Sequence, residues 1–174
     1  MILCSGQSNM NKPLSYVWNA TAEIAAATHA NVRLFSVAGA AVPNCADPAT
    51  KAGAACGPQS NFSANGCVLN HAGQTHCAWL PCNPTTVKDF SAVCYLTAKS
   101  LMQLNSKLRM RPIGLVQVAV DGTSLEEWTT PAALSECPAH PTAIKDRTSQ
   151  RFNGMLSPMV GFSIKLVLWY VGTH

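Results

Sequence analysis

Charge is scarce in this chain: charged side chains make up 11% of the 174 residues, against 48% hydrophobic ones. That balance excludes a disordered tail and a coiled coil, both of which need far more charge. The net charge of +4 is spread over scattered Lys and Arg, so no basic run marks a nucleic-acid-binding surface. The densest spot, Arg109-Met110-Arg111, reads as a solvated helix end. Long apolar runs are missing as well. The only late one, residues 159–172, is interrupted by Lys165 and is too short to span a bilayer. Residues 1–4 are too short for the apolar stretch of a secretory leader and lack a basic flank. No internal repeat occurs. No C-x2-C pair occurs either, which argues against structural zinc, and no metal or cofactor is expected.

Cysteine, by contrast, is abundant. Of eight, Cys45, Cys56, Cys67, Cys77 and Cys82 fall within one Gly/Pro/Asn-rich region, about residues 43–87, without helical or strand period. A segment with so poor a core of its own is usually stapled by disulfides, which implies an oxidising compartment. Zinc held by Cys67, Cys77 and Cys82 with His71 and His76 is the alternative, and free thiols are a third. Cys4 and Cys94 read most simply as buried, small apolar side chains. Cys137 could pair with the cluster or stay free. Two acceptor sequons, Asn19-Ala20-Thr21 and Asn61-Phe62-Ser63, agree with N-glycans and a secreted or lysosomal protein. Such a chain without a leader reads as part of a longer product.

At this length one domain with a real core is expected. Residues 1–4 read as a buried strand, and an alanine-rich helix is expected over 16–28. Residues 31–37, NVRLFSV, alternate like a strand. After the cysteine-rich stretch, Asp89 is placed to cap a helix whose apolar stripe runs through Phe90, Val93, Cys94, Leu101, Leu104 and Leu108. Pro112 ends it. Residues 113–120, IGLVQVAV, read as a strand buried on both faces. A short helix is expected over 152–158 and a last strand over 164–170. Strands alternating with helices predict a three-layer α/β/α sandwich around a parallel sheet of the flavodoxin-like kind, with the cysteine-rich loop inserted in it.

Ligands of such sheets gather where strands end and loops begin. Three segments meet that rule: Gly6-Gln7-Ser8-Asn9, Asp121-Gly122-Thr123 and Val171-Gly172-Thr173-His174. The first puts a hydroxyl at a helix start, where unpaired amides and the helix dipole favour an oxyanion. Ser8 there is either a nucleophile or a helix N-cap. The other two each offer a glycine at which a backbone N–H can approach a substrate closely.

Taken in order, these segments resemble the sialate O-acetylesterase family of the SGNH hydrolases. CSGQSNM is similar to its nucleophile block. PIGLVQ, then Gly122-Thr123, Glu126 and Trp128, resemble its oxyanion-glycine block. Asn153-Gly154-Met155, Pro158, Lys165 and Trp169-Tyr170 resemble the approach to its third block. The likeness covers nearly the whole chain, 1–174, apart from the cysteine-rich insertion, as a partial domain of that kind. It implies hydrolysis of acetyl esters on sugars such as O-acetylated sialic acid, with no cofactor. Ser8 would be the nucleophile, the N–H groups of Ser8 and Gly122 the oxyanion donors, and Gly172 a third donor. Gln7 and Asn9 would shape the turn, while Glu126 and Trp128 would support the loop.

Several positions depart from the family. Its double glycine is Asp121-Gly122 here, Val120 stands for a tryptophan, and the third block loses its Gln and Glu. The family's late D-x-x-H base and acid have no counterpart among Asp47, Asp89, Asp121 or Asp146. Of the histidines, His29, His71, His76, His140 and His174, the last lies best for a base. A serine without a base is a weak nucleophile, so the chain alone is expected to be nearly inactive, with an exposed apolar edge at its last strand. A non-catalytic secreted glycan-binding relative is the alternative, and a disulfide-rich interaction module over 45–82 is a third reading.

Overall fold

Residues 1–37, 79–136 and 148–172 are described by the computed structural model, together with two short strands at 68–69 and 75–76. The apolar run at the N-terminus forms β1 (Ile2–Gly6), every residue of it buried. A single helical turn, α1 (Ser8–Asn11), follows, then a 3-10 turn Leu14–Tyr16 and a short helix α2 (Ala20–Ala25). The helix expected over 16–28 is therefore interrupted. Asn19 enters a left-handed conformation, φ 59°, which no helix interior tolerates. The chain then forms β2 (His29–Ser36), the hairpin β3 (Val68–Leu69) and β4 (Thr75–His76), and β5 (Leu80–Cys82). Next come α3 (Pro84–Val87), α4 (Ala92–Leu104), α5 (Ser106–Arg109), β6 (Ile113–Ala119), α6 (Pro131–Ser135) and β7 (Leu166–Tyr170).

Five strands make one sheet in the order β5-β2-β6-β1-β7. β1 pairs in parallel with β6 from Ile2↔Leu115 to Gly6↔Ala119, and with β7 from Ile2↔Leu166 to Gly6↔Tyr170. β2 is parallel to β6, whereas β5 runs antiparallel to β2 at the edge. Pro81 on β5 has no N–H to give to the ladder, and an edge is where that is tolerated. β5 and α3 lie inside the stretch expected to be irregular. Three residues of Leu-Pro-Cys carry no readable period, and only pairing with β2 makes them a strand.

The α/β/α expectation is met by two packed faces. On one, α4 lays Ala92, Cys94, Tyr95, Ala98 and Met102 on Ile2, Cys4, Val32, Leu34 and Leu115. Five of the six residues of the expected stripe pack here, Phe90 and Cys94 buried and Val93, Leu101 and Leu108 partly so. Leu104 is exposed, while the small Ala92 and Ala98 let the helix approach the sheet. The cap is not Asp89 but Ser91, whose Oγ accepts the Cys94 N–H at 3.2 Å. Asn105 ends α4 and caps α5 by accepting the Lys107 N–H. On the other face, Leu3, Val116 and Val118 pack on Trp128, Met155 and Met159. The cover there is a 3-10 turn, Leu125–Trp128, and two irregular turns, Phe152–Leu156 and Ser157–Met159.

Cys4 and Cys94 are buried, as expected, but they are not free. They form a disulfide with Cα atoms 5.7 Å apart that ties β1 to α4 across 90 residues of sequence. Adjacent burial could be inferred from each residue's own neighbours; pairing required knowing that α4 lies over β1. Cys82 reverses the expectation of a stapled cluster in the other direction, being a buried free thiol. Cys45, Cys56, Cys67, Cys77 and Cys137 lie outside the described residues, so the remaining cysteine expectations do as well. No described group of three or more His, Cys, Asp or Glu residues could hold a metal ion. No described helix is long and apolar enough to cross a membrane.

Candidate active site

The site is built at the C-terminal ends of β1 and β6, which are neighbours in the sheet. The segment after β1 packs on the α4 face and the segment after β6 on the opposite face, so the two strand ends form the switch point at which sheets of this kind open a crevice. Gly6 makes the turn out of β1. Its φ is +153°, and a Cβ there would lie 2.2 Å from the Tyr170 carbonyl oxygen. Only glycine fits. The Gln7 N–H then donates to Tyr170 O at 3.2 Å, fastening the turn to β7.

Gln7, not Ser8, is the helix cap. Its buried side-chain Oε1 accepts the Ser8 N–H at 3.0 Å and the Ser8 Oγ–H at 2.7 Å, and its carbonyl accepts the Asn11 N–H. Ser8 is released from capping and stands exposed as the first residue of α1, with Asn9 half-buried beside it. An amide oxygen is a good acceptor but a very weak base, so this contact holds the hydroxyl without deprotonating it.

Beneath the turn runs a chain of polar side chains that the sequence reading did not single out. Asn11 Nδ2 donates to Asp121 Oδ1 at 2.8 Å, and Gln117 Nε2 donates to Asn11 Oδ1 at 2.7 Å. Gln117 Oε1 accepts the Ser91 N–H at 2.8 Å, and Ser91 Oγ donates to Met10 O at 2.6 Å. These bonds join α1, the end of β6 and the start of α4. One signal for them was available: Gln117 is the single polar residue inside the buried run IGLVQVAV, and a buried amide needs partners.

Gly122 follows Asp121 at this switch point, exposed and with φ +68°. Its loop is held from below. Thr123 Oγ donates to Val120 O at 2.8 Å and accepts the Trp128 indole N–H at 2.9 Å, and Trp128 meets Trp169 edge to face at 6.1 Å. Trp128 is thus buried beneath the loop and bonded to it. Glu126 contributes through its carbonyl, which accepts the Ser149 N–H at 2.9 Å. The buried carboxylate is its neighbour Glu127, which accepts the Ser124 N–H and faces Arg151 Nε at 3.5 Å. Sequence reading missed this pair because the two charges are 24 positions apart. Gly172 lies exposed two residues beyond Tyr170, with φ +98°.

Ser8, Gly122 and the end of β7 therefore share one edge of the sheet. His29 does not join them. It begins β2, and since β2 is parallel to β6 and β6 to β1, its place is the opposite edge. There it contacts the Tyr95 hydroxyl at 3.2 Å beside a cavity of about 380 Å³ lined also by Asn31, Lys99 and Arg109. Burial, then the Lys99 charge, lowers its pKa. His71, His140 and His174 lie outside the described residues. No histidine side chain among the described residues approaches Ser8 within hydrogen-bonding distance.

The chain as a whole is similar to known proteins. The chain is 27% identical to the sialate O-acetylesterase of Pongo abelii and equally so to that of Homo sapiens, in each case over 98% of this chain and 30% of the relative. A solved carbohydrate acetylesterase from Xanthomonas citri superposes with a TM-score of 0.70 at 26% identity, over 98% of this chain and 32% of that one. The chain is similar to sialate O-acetylesterases. It spans about a third of the length of these relatives. No family model matches it.

Proposed function

We propose that the chain is the nucleophile-bearing part of an esterase that removes acetyl groups from carbohydrates, O-acetylated sialic acids among them. The observation that carries this reading is the placement of Ser8 and Gly122 at adjacent strand ends, braced to each other through Asn11 and Asp121. In this reading Ser8 Oγ attacks the acetyl carbonyl, forming a C–O bond as its proton passes to a base. The N–H groups of Ser8 and Gly122 stabilise the oxyanion, each contributing roughly 3 kcal/mol. The sugar oxygen then leaves with a proton, and water hydrolyses the acetyl-serine to acetate. Gly172 is the third donor of the proposal.

The resting contact with Gln7 has two consequences. Ser8 N–H must leave Gln7 Oε1 to serve the oxyanion, and Ser8 Oγ–H must pass from that amide to a true base. Loss of the histidine in a serine-hydrolase triad lowers turnover by about a million-fold. We therefore hold the 174-residue chain by itself to be nearly inactive.

Exogenous imidazole tests both statements. It should accelerate hydrolysis of 4-nitrophenyl acetate and of 9-O-acetyl sialic acid by the wild-type chain, and not by Ser8→Ala. Equal rescue of both proteins would remove Ser8 from the mechanism. Rapid Ser8-dependent turnover without imidazole would show instead that a base is already present. A glycan-binding relative without catalysis is the second reading, favoured by the amide-bound resting state of Ser8. Saturable binding of the acetylated sugar with no imidazole-dependent release of acetate would select it. The buried Cys4–Cys94 disulfide supports a secreted or lysosomal setting. The Asn61 sequon lies outside the described residues.

A further inference from the structure

Trp18 is 95% and Tyr16 72% exposed, more than any other aromatic among the described residues. A lone exposed aromatic needs no explanation. Tyr16 ends the 3-10 turn Leu14–Tyr16, and Trp18 stands two positions on, followed at once by Asn19. The Ala20 N–H donates to Val17 O at 3.2 Å, closing a turn with Trp18 and Asn19 at its two corners. Asn19 takes the left-handed corner, φ 59°, a conformation asparagine tolerates better than most residues. Although it stands at the N-cap of α2, its side chain makes no capping bond. The fold thus leaves the Asn19 carboxamide unused at an exposed tip, within the triplet Asn19-Ala20-Thr21. The Cys4–Cys94 disulfide independently points to the oxidising compartment where such triplets are modified.

We propose that Asn19 carries an N-linked glycan whose innermost sugars lie on the rings of Trp18 and Tyr16. In the attachment step the C1–O bond from the first sugar to a polyprenyl diphosphate donor breaks. A bond from C1 to Asn19 Nδ2 forms, and the carboxamide gives up one proton. The attached N-acetylhexosamine then presents its C–H face to the indole, so apolar ring surface leaves water at the turn. This needs no movement of the fold, because the corner geometry already projects these residues outward.

Two experiments test it, and neither depends on esterase activity. The chain is translated behind a secretory leader in microsomes, with Ser63→Ala removing the other sequon. An endoglycosidase-sensitive mobility shift should appear, persist in Thr21→Ser and vanish in Thr21→Ala. An unshifted chain overturns the proposal. The protein secreted from a eukaryotic host is then melted with and without Trp18→Ala. The substitution should lower Tm by about 2–4 °C in the glycosylated protein and leave the Thr21→Ala form unchanged. The same shift in both backgrounds would show that the sugar does not rest on the indole.

Discussion

The two faces of the sheet are covered by different means. One carries a thirteen-residue helix, α4, fastened to β1 by a disulfide and packed on an apolar layer from three strands. The other carries short irregular turns over Leu3, Val116 and Val118, and β7 leaves Val167 and Trp169 about half exposed there. The Ser8 turn belongs to the first face and the Gly122 loop to the second. The switch point between strand ends therefore joins a rigid layer to a thinner one, and the polar chain through Asn11 and Gln117 bridges them.

Removing the clamp should separate the faces most. The double substitution Cys4→Ala and Cys94→Ala is expected to lose about 4–5 kcal/mol in urea unfolding, from the closure of a 90-residue loop. A loss below 1 kcal/mol would mean that α4 holds its face without the bond. Cavity formation sharpens the same contrast. Leu115→Ala, fully buried beneath α4, should destabilise by about 4–5 kcal/mol, and Met155→Ala, under turns that can collapse, by about 2 kcal/mol. Equal losses, measured side by side, would show that the turn-covered face is packed as rigidly as the helical one.

Alkaline titration probes the helical face from inside. Burial raises the Cys82 thiol from 9.0 to about 11, and burial, then Cys82 and Glu23, raises Tyr95 from 10.0 to about 12. In both cases the fold keeps the proton longer than the unfolded chain does. Stability is thus complete below about pH 9 and declines between about 9 and 11, by roughly 2–3 kcal/mol for Cys82. Cys82→Ala should delay the onset of that decline to about pH 10, where Tyr95 begins to contribute. An unchanged profile would place the thiol outside the titration. The smallest effect concerns the bridge between the faces. Asn11→Ala should lower stability by only about 1–2 kcal/mol, yet weaken imidazole-rescued turnover more than Leu115→Ala does. The reverse order would deny the bridge a role in placing the site.

Much of the scaffold was legible because its signals are local. The buried runs of β1 and β6 and the polar turn that follows Gly6 each follow from a few neighbouring residues. The position of the Ser8 and Gly122 segments was legible for the same reason, both being strand ends followed by glycine and polar residues. Of the two capping roles considered, one was an open alternative at Ser8 and the other an assignment to Asp89, and neither residue is the cap. Ser8 yields that role to Gln7, and Asp89 yields it to Ser91, because each choice depends on a distant partner: Tyr170 for the Gln7 backbone, Gln117 and Met10 for Ser91. The apolar stripe of α4 was legible except at Leu104, which is exposed. Sequence periodicity favours large residues, while close contact with the sheet selected Ala92 and Ala98.

By itself the sequence determined the alternation of elements, the parallel core and the position of Ser8 at the end of the first strand. These depend on patterns within a dozen residues, where hydrophobic period and turn chemistry act directly on the chain. Tertiary structure alone decided that Cys4 meets Cys94, that Glu127 meets Arg151, and that Asn11 and Gln117 link the two halves of the site. Such pairs are separated by tens of residues, and no local pattern encodes which face a helix will cover. Their geometry exists only once β1 and β6 lie side by side.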